Sequence, residues 1–63
     1  NFEEAIISFN KAIKLKPKFS EAFSNLGMAH YKMGNFKISE KNYKKSILID
    51  NKNIIPYYNL GNL

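Results

Sequence analysis

Shifted against itself by 34 residues, the chain meets its own letters. Asn1 falls on Asn35, Phe2 on Phe36, Lys11 on Lys45, Ile13 on Ile47 and Lys18 on Lys52. The triplet Asn25-Leu26-Gly27 falls on Asn59-Leu60-Gly61. These are eight identities in the 29 pairs that a 34-residue shift leaves in a chain of 63. The near-matches keep the size class. Ala5 pairs with Ser39 and Ala12 with Ser46, small with small; Phe9 pairs with Tyr43 and Phe23 with Tyr57, ring with ring. Leu15 pairs with Ile49. A fixed period of this length means one supersecondary unit used repeatedly, each copy burying the face its neighbour leaves open.

One period reads as two helices. On a helix at about 100° per residue, Phe23, Leu26, Gly27, His30 and Met33 share one side, flanked by Ala22 and Ala29. Glu21, Ser24, Asn25, Met28, Tyr31 and Lys32 share the other. Gly34 is placed to end this helix, and Asn35 to cap the next. From Phe36 onward, Phe36, Ser39, Tyr43, Ser46 and Ile47 form an inner face, opposite Lys37, Lys41, Lys44 and Lys45. Asn1 looks like a further cap, with Glu4 spaced to reach back to it as in a capping box. Pro17 stops the first helix. Gly27 and Ser39 are small enough to bring two helices close, with Phe23 and Tyr43 filling the space beside that contact.

Composition bounds the class. A chain this short holds one small domain at most, and a limited core. It has no cysteine, so no disulfide framework. This is compatible with the reducing interior of a cell, and the expected location is intracellular, cytoplasmic or nuclear. No apolar run approaches the length of a membrane span, so no membrane partner is expected. The formal charge is +5, with ten lysines and no arginine.

The residues are similar to a known family. The spacing Phe23-x2-Leu26-Gly27-x2-His30, then Ser39-x3-Tyr43, within 34 residues resembles the tetratricopeptide repeat. The preceding stretch carries Ala5-x3-Phe9, Ala12 and Pro17; the following one opens Tyr57-x2-Leu60-Gly61. Four residues depart from the family pattern, at three of its positions. Phe23 and Tyr57 stand for its frequent tryptophan, His30 for its tyrosine, and Asn51 for a proline. The resemblance implies an all-α fold, a helix-turn-helix tetratricopeptide solenoid fragment in a right-handed superhelix. Residues 1–19 would be the second helix of a partial repeat, 20–53 a complete repeat, and 54–63 the start of a following first helix. This register predicts an excerpt of a longer solenoid, lacking polar end caps. Its open ends complement each other, so copies are expected to stack head to tail or to swap helices.

The resemblance also implies a function: a protein–protein interaction scaffold, with an extended peptide or partner segment in a concave groove lined by first helices. Asn25 and Asn59 would stand one above the other there. An asparagine amide offers two donors and an acceptor to a peptide backbone. Met28, Tyr31, Lys32 and Tyr58 complete the expected peptide-binding set, and Asn62 adds to the same surface. The lysine–asparagine clamp that some such grooves present to carboxylate tails would fall at Ser24, Met28, Ile55 and Asn59, and is not matched. The stretch "LKPKFSEAFSNLG" is similar to the asparagine-ladder superhelix of the O-GlcNAc transferases. That keeps open an alternative, a substrate-recognition part of a larger enzyme.

Catalysis within these residues is not expected. The one histidine, His30, sits on the inner arc, where a packing role is the plain reading. Glu3 and Glu4 fit as partners of a helix dipole. No phosphate loop and no metal-ligand spacing appears, so no cofactor and no metal is expected. Nucleic acid is the other class to weigh. The stripe Lys37, Lys41, Lys44, Lys45 could meet phosphates, but within the stripe no aromatics are interleaved to stack bases. A solvated convex face is the simpler reading.

Overall fold

A computed structural model describes residues 1–63 as four α-helices with no strand: α1 (Phe2–Leu15), α2 (Ser20–Lys32), α3 (Phe36–Ile49) and α4 (Ile54–Gly61). Consecutive helices pack as neighbours, and α2 also touches α4. The result is a slab of 26 × 26 × 14 Å.

Each boundary has a local cause. Asn1 caps α1, its Oδ1 accepting from the Glu4 backbone N–H at 3.0 Å. The Glu4 carboxylate makes no bond back to Asn1, so the cap is one-sided and not a capping box. Asn53 caps α4 the same way, accepting from Ile55 N–H at 3.1 Å. Pro56 sits in the first turn of α4, where a backbone N–H has no helical partner to lose. Pro17 lies in the turn after α1.

The α2–α3 corner is closed by backbone. Gly34 takes φ +85°, a left-handed conformation. Its N–H donates to the Tyr31 carbonyl at 3.0 Å, and the Asn35 N–H to the His30 carbonyl at 2.8 Å. This crossed pair satisfies two carbonyls at the end of α2. Asn35 occupies the cap position of α3, but its side chain makes no capping bond. Its amide turns back and lies 3.3 Å from His30 Nδ1. The expected cap is therefore spent on the preceding helix, because the tight corner brings His30 within reach.

The core sits on both sides of α2. Ala22, Leu26 and Ala29 are buried, as is Tyr43 of α3. Gly27 faces the Tyr43 ring, and Ser39 Oγ donates to the Gly27 carbonyl at 2.6 Å. The ring lies on the glycine itself and not beside the contact. Ser20 and Ser46 form a clasp between the start of α2 and the end of α3. Ser46 Oγ donates to the Ser20 carbonyl at 2.8 Å, and Ser20 Oγ lies 3.0 Å from the Ser46 carbonyl and 2.9 Å from Ser46 Oγ. Two hydroxyl protons serve these three contacts.

Three residues depart from the two-sided helical wheel. Ser24 is buried, although it was expected on the outer arc. It stands between Ser20 and Gly27 at helical spacing, on the strip that meets α3. Met33 and Phe36 are exposed, although both were expected to face inward. Met33 is the C-cap residue of α2, past the last regular turn. Phe36 opens α3 at the corner, and its ring meets the Tyr31 ring edge-on at 5.5 Å between centroids.

Candidate peptide-binding groove

Two hollows flank α2 on the side away from the lysine stripe. One, of about 440 Å³, is lined by Met28, Tyr31, Lys32, Tyr43, Asn59 and Asn62. It exists because α2 and α4 lie side by side, both packed against α3, so side chains one turn apart on each converge. The other, of about 200 Å³, lies between α1 and α2 and contains Asn25 beside Phe2, Ala5 and Phe9. Met28 and Lys32 line both.

The two asparagines occupy like positions in successive units. Asn25 shares its hollow with Phe9, and Asn59 shares its hollow with Tyr43. Phe9 and Tyr43 are themselves 34 residues apart. Four of the six residues expected to bind peptide, Met28, Tyr31, Lys32 and Asn59, therefore meet in one hollow, and Asn25 lies in the next. Tyr58 lines neither and stands 73% exposed on α4.

Sequence reasoning missed one wall of the larger hollow. Tyr43 was assigned to packing alone, yet one edge of this buried ring reaches the groove. Burial pushes the Tyr43 phenol above the usual tyrosine value; the Ser39 hydroxyl nearby opposes that shift, and Tyr31 adds to it. The 34-residue match with Phe9 marks the position, but nothing in the letters shows that this buried side chain also lines the hollow.

Donors dominate the polar content. Lys32 supplies a cation, and Asn59 and Asn62 supply amides. Asn59 Nδ2 is enclosed and makes no hydrogen bond. Most buried polar atoms are paired, so this amide holds an unused donor. No carboxylate lines the hollow. Nowhere do three His, Cys, Asp or Glu side chains gather as a metal site. No helix is long and apolar enough to cross a membrane.

Paired helices at a 34-residue period, with Gly27 under the Tyr43 ring where α2 meets α3, define a helical repeat protein. The chain belongs to the tetratricopeptide repeat family: the profile described as "Tetratricopeptide repeat" matches residues 20–53, and that described as "TPR repeat" matches residues 1–34. Among curated proteins it is similar to Heat shock protein STI1 of Saccharomyces cerevisiae, with 35% identity over 82% of this chain and 9% of that protein. It is also similar to Superkiller protein 3 of Schizosaccharomyces pombe, 32% identical over 79% of this chain and 4% of that protein. Sperm-associated antigen 1 of Rattus norvegicus is 28% identical over 95% of this chain and 7% of that protein. The chain thus spans less than a tenth of the length of these relatives.

Proposed function

We propose that these residues form part of a protein–protein interaction scaffold and hold an extended segment of a partner in the groove between α2 and α4. The observation that carries this is the convergence of Met28, Tyr31, Lys32, Asn59 and Asn62 on one hollow. Met28 and Tyr31 receive an apolar side chain. Asn62 and Lys32 meet carbonyl or carboxylate oxygens. A turn of the Asn59 amide brings its unused donor to a backbone carbonyl, which reads the path of a peptide and not its sequence. Asn25 repeats this contact one unit earlier, and Tyr58 supplies an outer wall for a longer segment. In this reading residues 20–53 are the complete repeat, 1–19 belong to the unit before it, and 54–63 open the unit after it.

The test is selection of extended peptides from a displayed library, followed by fluorescence polarisation with the selected sequences. Asn59→Ala and Asn25→Ala are each expected to weaken binding by roughly tenfold, the cost of about one lost hydrogen-bond pair in a partly enclosed site. Selected peptides that bind both variants as well as the parent would overturn the groove assignment.

A further inference from the structure

The opposite side of the repeat holds a third hollow, outside the groove. It measures about 440 Å³ and is lined by Phe23, Lys41, Asn42, Lys44, Lys45 and Leu48. Phe23 comes from α2 and the rest from α3. Phe23 is half-buried, and its ring supplies an apolar inner wall. Leu48 is 82% exposed, far more than a leucine with a helix against it. The stems of the three lysines are apolar and their heads are wet, so they wall the hollow and place charge at its rim. Asn42 spends one amide N–H on the Ile38 carbonyl at 2.9 Å. Lys44 pairs with Glu40 at 3.5 Å across the helix surface; Lys41 and Lys45 have no acidic partner.

We propose that this convex hollow is a second docking site, for a partner segment that carries one apolar side chain between acidic residues. The apolar side chain enters between Phe23 and Leu48, and carboxylates on either side meet Lys41 and Lys45. The charge is complementary: the chain carries +5 overall, and no carboxylate lines the hollow. The lysine-bearing face of α3 has no aromatic of its own, since Tyr43 is buried, and the fold supplies one from eighteen residues away (Phe23 to Lys41). That single ring is half-buried. It accepts a side chain against its edge but gives no platform on which successive bases could stack, so an acidic peptide fits this hollow better than RNA. This site shares no residue with the α2–α4 groove.

The experiment is fluorescence anisotropy with a short dye-labelled peptide of alternating glutamate and aspartate with one central leucine. Its controls are the same peptide with central alanine, and a labelled oligouridine. Saturable binding of the leucine peptide is expected, weakened about tenfold by the central alanine, the order set by a few buried methylenes. Leu48→Ala should weaken it several-fold, and Lys41→Glu with Lys45→Glu about tenfold or more. All these positions are exposed, and circular dichroism should show unchanged helicity. Asn59→Ala should leave this binding intact, which separates it from failure or success of the groove. The proposal is overturned if the leucine and alanine peptides bind alike, if oligouridine binds more tightly than the peptide, or if no saturable binding occurs.

Discussion

The ring of Tyr43 rests on Gly27. A Cβ built on Gly27 would lie 2.5 Å from Tyr43 Cε1 and 2.6 Å from Cδ1. The adjacent Ser39 hydroxyl donates to the Gly27 carbonyl at 2.6 Å, so the two helices are tied at the point of closest approach. Gly27→Ala gains about 1 kcal/mol of helix propensity but forces the buried ring to move. Overpacking of this kind costs about 1–3 kcal/mol, so a net loss of up to about 2 kcal/mol is expected. In urea melts Tyr43→Leu should be destabilising alone yet should reduce the cost of Gly27→Ala. Strict additivity of the two changes would contradict this contact.

Two buried serines, Ser46 on α3 and Ser24 on α2, should respond oppositely. Ser46 is clasped to Ser20, and Ser46→Ala should cost about 1 kcal/mol or more by leaving Ser20 groups unpaired. Ser24 Oγ is enclosed with no hydrogen bond. Ser24→Ala removes an unpaired hydroxyl, so it should be neutral or stabilising by up to about 1 kcal/mol. Thermal melts followed by circular dichroism check both, and a large loss for Ser24→Ala would show that its hydroxyl is paired after all.

Gly34 separates conformation from packing. At φ +85° its Cβ position is open, with nothing within 4 Å. Gly34→Ala should therefore cost only the left-handed penalty, about 1–2 kcal/mol. Gly34→Asn should cost less, since asparagine tolerates that region better. Equal losses for the two variants would place the cost elsewhere.

Burial raises the Tyr43 pKa, which ties stability to alkaline pH. Below the unfolded tyrosine value of about 10, both states hold the proton, and Tyr43 adds no pH dependence. Above it the unfolded chain loses the proton first, so stability falls as pH rises toward the folded value. Lysines and the other tyrosines titrate there too, so the comparison is with Tyr43→Phe. That variant should lose less stability between about pH 9.5 and 11. Parallel curves would mean that the ring ionises equally in both states.

Gly61 is the Gly27 position of the next unit, and nothing lies within 4 Å of its Cβ site. Ala5 and Phe9 on α1 stand at the positions of Ser39 and Tyr43. We expect a second copy to lay α1 against α4 as α3 lies against α2. Sedimentation and helicity measured together should both rise with concentration for the 63-residue chain. Gly61→Leu should suppress the rise by occupying the place of the incoming ring. Concentration-independent sedimentation of a fully helical chain would exclude this association.

The 34-residue period was enough, by itself, to determine the helix count, the corner at Gly34 and the close approach at Gly27 and Ser39, because spacing fixes which side chains share a face of a helix; that the Tyr43 ring lies on Gly27 itself was decided by the tertiary structure. The inward positions Leu26, Gly27, Ser39, Tyr43 and Ser46 were legible for the same reason. The groove set was legible only in part: the helical wheel brought out Met28, Tyr31 and Lys32 and the 34-residue period brought out Asn59, while Tyr43 and the separate hollow of Asn25 depend on how three helices lean together. Only the tertiary structure decided that Ser24 is enclosed, that Asn35 turns back to His30, and that Phe23 stands among the lysines. Each of these depends on distances between residues on different helices, or across a tight corner, and periodicity along one helix carries no information about them.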